Sequence, residues 1–306
     1  HLEFANEELD DLVLVRSGGV PTYNFCVVVD DTDMKITHVI RGDDHINNTP
    51  RQINILLALG AKLPLYAHLP MILGSDGKRL SKRHGAVSVM QYQQDGFLPE
   101  ALINYLARLG WSHGDQEIFS PEELIQFFDF EHINRAPAAF NPEKLLWLNQ
   151  HYLKTSDPNK VAQSLAQHMQ RLTIDYAHGP SLVDVVKLQA ERTKTLVEMA
   201  ERSRYFYEPI TIEPSLLVQF TVSIKPALKA LRDQLAALSE WNKESIHAVL
   251  ASVAEAQGLK LGKLAPVVRI AATGGTVSPS LDATLALLGK EKTLSRLDQS
   301  LPLCTN

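Results

Sequence analysis

Lys78-Arg79-Leu80-Ser81-Lys82-Arg83-His84-Gly85 packs four cations and a hydroxyl into one short stretch, just after the turn Gly74-Ser75-Asp76-Gly77. The apolar run Leu69 to Leu73 precedes it and a helix is predicted to begin near Ser88, so the cations sit between ordered elements. Such a stretch suits a polyphosphate. An ammonium such as Lys82 is a compact, mobile charge that can follow negative charge moving onto a leaving pyrophosphate when an α-phosphate is attacked. The plain alternative for a lysine- and arginine-rich octamer is a solvated surface loop.

Spacing removes three other phosphate- or metal-based readings. Only two residues separate Gly74 from Gly77 where a P-loop needs four, and Arg79 stands where that motif holds magnesium through Ser or Thr. Asp31-Thr32-Asp33 opens like a calcium loop, but Ile36 occupies its sixth position and Gly42 its twelfth, where glycine and glutamate belong. Asp43, Asp44 and His45 are adjacent at a strand end or helix start, where neighbouring side chains diverge, so no metal site is expected.

A second set of residues lies upstream, in Pro21-Thr22-Tyr23-Asn24-Phe25 and in Thr37-His38-Val39-Ile40-Arg41-Gly42-Asp43-Asp44-His45-Ile46-Asn47-Asn48-Thr49-Pro50-Arg51-Gln52. Together with Arg79-Leu80-Ser81-Lys82-Arg83 these resemble the second half of the catalytic domain of bacterial glutamyl-tRNA synthetases, class I aminoacyl-tRNA synthetases whose lysine-serine-lysine loop is the KMSKS signature. The resemblance continues through Asp95-Gly96-Phe97-Leu98-Pro99-Glu100-Ala101-Leu102, Leu109-Gly110-Trp111-Ser112 and Lys144-Leu145-Leu146-Trp147-Leu148-Asn149. It reappears in Glu191-Arg192-Thr193-Lys194-Thr195-Leu196 and Arg204-Tyr205-Phe206-Tyr207.

The resemblance implies roles for single residues. Arg79, Ser81 and Lys82 would serve catalysis. Lys82, Leu80 and Asp44 would bind ATP, with Asp44 near the adenosine. Tyr23 and Arg41 would line the glutamate pocket, where a planar guanidinium forks well onto a carboxylate. Arg192 would meet the third anticodon base of the tRNA, although on sequence alone it lies on an exposed helix face. Two positions depart from the family pattern. The first signature lysine is Arg79, which keeps the charge but changes its reach, and the asparagine that some relatives carry four residues after the pocket tyrosine is Val27.

The implied reaction is ATP-dependent activation of glutamate and its transfer to the 3′ end of tRNA(Glu), with ATP and Mg²⁺ entering as substrate. Tyr23 is preceded by no His-Ile-Gly-His-type motif, so the chain is expected to be the C-terminal two-thirds of such an enzyme, inactive in pyrophosphate exchange by itself. The competing readings are a tRNA-binding fragment without catalysis and a paralogue charging another tRNA. A cytoplasmic monomer is expected.

Composition agrees with a multidomain chain: 306 residues, 45% of them apolar, can build more than one core. No apolar run approaches the roughly 20 residues of a membrane-spanning helix, and Cys26 and Cys304 lack metal-ligand spacing, which points to a reducing compartment. The net charge of −5 is uneven: residues 1–155 hold 13 basic and 20 acidic side chains, residues 156–306 hold 17 and 15. A mildly basic second half is compatible with transient tRNA binding.

The elements that must position these residues are legible from caps and period. Strand signals fall at Leu12 to Val15, Thr37 to Ile40 and His68 to Leu73. Phe25 to Val29 is ambiguous, because β-branched residues favour a strand while the resemblance implies a helix. Thr49 before Pro50 reads as a helix start closed by Gly60, Leu98-Pro99-Glu100 opens another helix, and Ser120-Pro121-Glu122-Glu123 is a capping box. From about Asp157 onward every long periodic segment has helical spacing. The expected class is therefore α/β followed by all-α. By the resemblance, residues 1–95 would complete a Rossmann-type nucleotide-binding domain, 96–155 would form a helical stem-contact connector, and 156–306 an all-α anticodon-binding domain in two subdomains.

Overall fold

The computed structural model describes residues 2–80 and 88–305, which divide into two compact units, His1–Ala86 with Ile103–Pro142 and Val87–Leu102 with Glu143–Asn306. Ser81 and Lys82 lie outside the described residues.

In the first unit, β1 (His38–Gly42), α2 (Thr49–Ala58) and β2 (Leu65–Leu69) form a strand–helix–strand unit, preceded by α1 (Tyr23–Asp33). The strands pair in parallel from His38 against Leu65 to Gly42 against Leu69. Phe25 to Val29 is helical, despite its β-branched residues. Val28 turns inward onto Ile55 and Leu56 of α2, with Leu12, Phe25, Val27 and Ala61 packed around them. Tertiary burial outweighs a strand propensity of a few tenths of a kcal/mol per residue, on the order of 1 kcal/mol at most.

Leu12 to Val15 is not a strand. Only Val15 makes a bridge, to Pro21, and Leu12 is spent on the α1–α2 cluster. His68 to Leu73 is not one strand either: β2 stops at Leu69 and β3 (Ile72–Leu73) starts beyond Pro70, which has no N–H to give a ladder. β3 pairs in parallel with β4 (Ala138–Ala139). A second apolar cluster gathers Trp111, Phe119 and Leu124, and Ser120 caps α5 (Pro121–Phe127) through a full capping box with Glu123.

In the second unit, helices follow at short intervals. α3 (Val89–Gln94) starts at Ser88, and α4 (Pro99–Gly110) begins at Pro99 in this unit's residues and runs on into the 103–142 segment. α6 (Pro142–Thr155) buries Leu145, Leu148, Tyr152 and Leu153 at helical spacing. Asp157 caps α7 (Pro158–Arg171) by accepting from the N–H of Asn159. Beyond it come α8 (Leu182–Gln189), α9 (Leu196–Arg202), α10 (Arg204–Tyr207), α11 (Lys225–Ala237), α12 (Lys243–Ala256), α13 (Leu261–Thr273), α14 (Leu281–Leu288) and α15 (Lys290–Ser300). The core of α11 to α15 is Leu228, Leu231, Leu235, Ile246, Val253, Leu264, Val268, Leu285 and Leu297, all at most 1% exposed. Among the described residues no helix is long and apolar enough to cross a membrane.

Candidate active site

The carboxyl end of β1 carries the first group of predicted residues. β1 ends at Gly42, and Asp43–Asn48 continues as a 3-10 segment leading into α2. A Cβ on Gly42 would stand 2.5 Å from Oδ1 of Asp44, so a larger residue there would push the Asp44 carboxylate aside.

Arg41 is held from three sides. Its Nε donates to Nε2 of His68 at 3.3 Å, one terminal nitrogen donates to Oε1 of Gln52 at 2.8 Å, and the other donates to Oγ1 of Thr49 at 2.8 Å. Gln52 is 2% exposed and is itself fixed by donating to Oδ1 of Asn24 on α1 at 2.9 Å. The guanidinium carbon lies 5.5 Å from the centre of the Tyr66 ring. Every one of these partners is neutral or aromatic. Among the described residues no carboxylate pairs with Arg41, and three of the five N–H groups of a guanidinium are committed, which leaves two for a ligand.

Thr49 was expected to cap α2, but the cap position belongs to Asn48 and Thr49 is the first helical residue. Its hydroxyl is taken by Arg41 and by the carbonyl of His45, which is why it is not free to cap. Burial first, then the charges of Arg41 and His45, push the His68 imidazole below the usual histidine range. Burial raises the Tyr66 phenol above its ordinary value, while Arg41 acts in the opposite sense.

Tyr23 stands at the first position of α1, 53% exposed, with its ring 5.8 Å from that of His45 and its hydroxyl 3.5 Å from His45 Nδ1. Asp44 accepts an ion pair from Arg79 at 3.2 Å. Arg79 closes a hairpin-like turn: the N–H of Gly74 donates to the carbonyl of Lys78, that of Leu80 to the carbonyl of Ile72, and Gly77 takes φ +72°. Tyr23, Arg41, Asp44, Arg79 and Leu80 thus all belong to the first unit. The partners of Arg41 were not singled out from the sequence. The available signal was the three-residue spacing of Thr49 and Gln52 on one helix face, whereas His68 is set by strand register alone.

Arg192 belongs to the second unit and lies in the turn between α8 and α9, not on a helix face. α8 ends at Gln189, and side chains hold the carbonyls of the turn that follows. Thr193 Oγ1 donates to the carbonyl of Gln189, Gln150 to that of Glu191, Arg202 to that of Arg192, and Asn149 to that of Lys194 at 2.6 Å. The turn is therefore rigidly tied while the Arg192 side chain projects outward. Burial, followed by the nearby charge of Arg192, lowers the titration of Arg269, which donates to the carbonyl of Pro279 at 2.7 Å. Two arginines in each other's field favour an anionic or acceptor-rich visitor.

Comparison with known proteins bears on both units. Residues 1–147 match the family described as tRNA synthetases class I (E and Q), catalytic domain, and residues 160–301 match an anticodon binding domain. A glutamate–tRNA ligase of Coxiella burnetii is 61% identical over 298 residues, covering 97% of this chain and 64% of the relative. One from Alkalilimnicola ehrlichii is 56% identical over 303 residues, again covering 97% of this chain and 64% of the relative. The crystal structure of a glutamate tRNA ligase from Elizabethkingia meningosepticum in complex with its amino acid superposes with a TM-score of 0.80 at 29% identity, over 97% of this chain and 63% of that one. The glutamate-tRNA synthetase of Elizabethkingia anophelis gives 0.76 at 30% identity, with the same coverage. The chain spans about 64% of the length of the curated relatives it matches.

Proposed function

Because the chain belongs to the class I tRNA synthetases of the glutamate and glutamine type, we propose that it is the larger part of a glutamate–tRNA ligase. The glutamate carboxylate attacks the α-phosphate of ATP, forming glutamyl-adenylate and releasing pyrophosphate. A ribose hydroxyl at the 3′ end of tRNA(Glu) then attacks the mixed anhydride and AMP leaves. Neither step needs a protein nucleophile, so catalysis is positioning and charge stabilisation.

The observation that carries this reading is the Arg41 cage. A guanidinium held by neutral partners, with no carboxylate partner among the described residues and two N–H groups not engaged by them, is prepared for a carboxylate from outside. Tyr23 shares the glutamate pocket in this proposal. Asp44 and Leu80 face ATP, which brings its Mg²⁺ with it, and Arg79, Ser81 and Lys82 stabilise the leaving pyrophosphate. Arg192 reads the anticodon. The domain division follows the same reading: residues 1–95 belong to the catalytic domain, 96–155 to the stem-contact connector and 156–306 to the anticodon-binding domain, in a cytoplasmic monomer.

The test is charging of tRNA(Glu) by the full-length protein with ATP and labelled glutamate, alongside pyrophosphate exchange in the presence of the tRNA. Glutamate-dependent formation of glutamyl-tRNA is the expected result. Stable tRNA binding with no charging would replace the ligase reading by that of a tRNA-binding protein.

A further inference from the structure

Arg41 and His68 are register partners on neighbouring parallel strands, and the arginine meets the imidazole through Nε, the one guanidinium nitrogen that carries a single hydrogen. That contact dictates a protonation state. Nε2 of His68 faces the Nε–H of Arg41 at 3.3 Å, a group that can only donate, so it carries a lone pair and the ring proton sits on Nδ1. A proton on Nε2 would set two N–H groups against each other and put two positive charges side by side. Thr49 and Gln52 hold the two outer nitrogens of the guanidinium, and His68 supplies the third contact, on Nε. The Tyr66 ring lies parallel to the imidazole, with an interplanar angle of 3° and centroids 6.5 Å apart.

We propose that His68 is a positioning residue and a proton-sensitive one: its neutral imidazole orients Arg41 for a carboxylate ligand, and a proton on Nε2 releases the guanidinium. This rests on the reading of Arg41 as the receptor for the glutamate carboxylate. The groups facing His68 are Arg41 from β1, Tyr66 from its own strand, and His45 and Asp43 from the 3-10 segment. Burial opposes its protonation most, Arg41 and His45 act in the same sense and Asp43 acts against them, so the surroundings favour the neutral ring. Glutamate affinity should then fall as pH drops through the titration of His68, while the chemical step, which His68 does not touch, should not.

Two measurements separate this proposal from the function on which it rests. In the 306-residue chain, labelled with ¹⁵N, long-range imidazole spectra assigned with His68→Gln should show Nδ1–H and a bare Nε2 at neutral pH. The titration midpoint should lie below that of an unstructured histidine peptide and rise in Arg41→Ala. An Nε2–H tautomer, or a midpoint indifferent to Arg41, would overturn the proposal without reference to any substrate.

In the full-length protein, His68→Ala should raise the glutamate KM roughly 10–100-fold with kcat nearly unchanged, the size expected for loss of a hydrogen bond to a charged group. His68→Gln, whose Oε1 can take the place of Nε2 but cannot gain a proton, should restore the KM and flatten its pH dependence. An unchanged KM in His68→Ala would overturn the positioning role. If the wild-type protein failed to activate glutamate while the spectra behaved as stated, the ligase reading would fall and the orientation of Arg41 by His68 would stand.

Discussion

Asp44 and Arg79 pair at 3.2 Å, and this contact joins the carboxyl end of β1 to the turn that carries the first cations of the 78–85 stretch. The arginine side chain is 68% exposed, so the pair is screened by water and worth about 0–1 kcal/mol to the fold. Its importance would lie in placement. Arg79→Ala should leave the unfolding midpoint almost unchanged and yet slow adenylate formation in the full-length protein. Asp44→Asn should do the same, and the double variant should cost less than the sum of the two. Strictly additive losses in exchange rate would mean that the pair does not act as a unit.

Arg41 and Lys82 should separate kinetically. Arg41→Ala should raise the glutamate KM at a cost of about 2–5 kcal/mol, because a substrate carboxylate is left unpaired. Lys82→Ala should instead lower the rate of adenylate formation roughly 10²–10³-fold with little loss of glutamate affinity, since its contact strengthens only as charge develops. Steady-state exchange kinetics on both variants distinguish the two, and a normal KM in Arg41→Ala would remove that residue from the pocket.

Arg192 is presented by a turn whose carbonyls are already tied down, so its loss should not disturb the fold. A guanidinium has donors only, which suits the O2 and N3 acceptors of cytosine and opposes the N1 donor of guanine. Arg192→Gln should therefore weaken discrimination against a glutamine tRNA whose anticodon ends in guanine by about 1–3 kcal/mol. Charging of both tRNAs by wild-type and variant protein measures the ratio, and an unchanged ratio would return Arg192 to the solvated surface.

Asn149, fully buried, accepts from the N–H of Leu98 at 2.8 Å and donates to the carbonyls of Gly96 and Lys194. Asn149→Ala strands all three groups and should cost roughly 2–4 kcal/mol in denaturant unfolding of the second unit. Asn149→Asp should be worse, because it keeps the acceptor but aims a carboxylate at two carbonyl oxygens. A milder effect for aspartate than for alanine would show that the amide is not the working group.

His168, 4% exposed on α7, is pushed below the usual histidine range by burial and then by Arg171. The unfolded chain takes up this proton first, so the contribution of the group is intact above about pH 6.5 and is lost as pH falls through the lower, folded value. Stability measured by urea unfolding should decline from pH 7 to pH 5, less steeply in His168→Gln. Equal slopes would place the acid sensitivity elsewhere.

The residues with a stereotyped local signature were legible in the sequence. Ser120 with Glu123, Pro99 after Leu98 and the β-branched run Val39-Ile40 each advertise a cap, a helix start or a strand within a few residues. What could not be read was contact between distant segments. His68 reaches Arg41 across 27 positions because two strands align in one register, and no local pattern encodes register between strands separated by a helix. Leu12 to Val15 has strand composition but no strand to pair with among the described residues, and Arg192 lies in a turn whose carbonyls are held by Asn149, Gln150 and Arg202 from distant parts of the chain. Local propensity predicts how a segment begins; the partners of its backbone decide whether it continues.

The two compact units are interleaved along the chain, which crosses from one to the other three times, after Ala86, Leu102 and Pro142. On the ribosome this imposes an order. Segment Val87–Leu102 leaves the exit tunnel early, yet the groups that hold it, Asn149 and the N–H of Leu196, are synthesised well after the whole of Ile103–Pro142. It must wait unpaired while the intervening segment joins the first unit, and its docking is a late, long-loop event of the kind that slows folding. For the same reason a protease cutting at any single crossing would not release either unit whole, so limited digestion of the native protein should yield nicked chains that stay together until denatured.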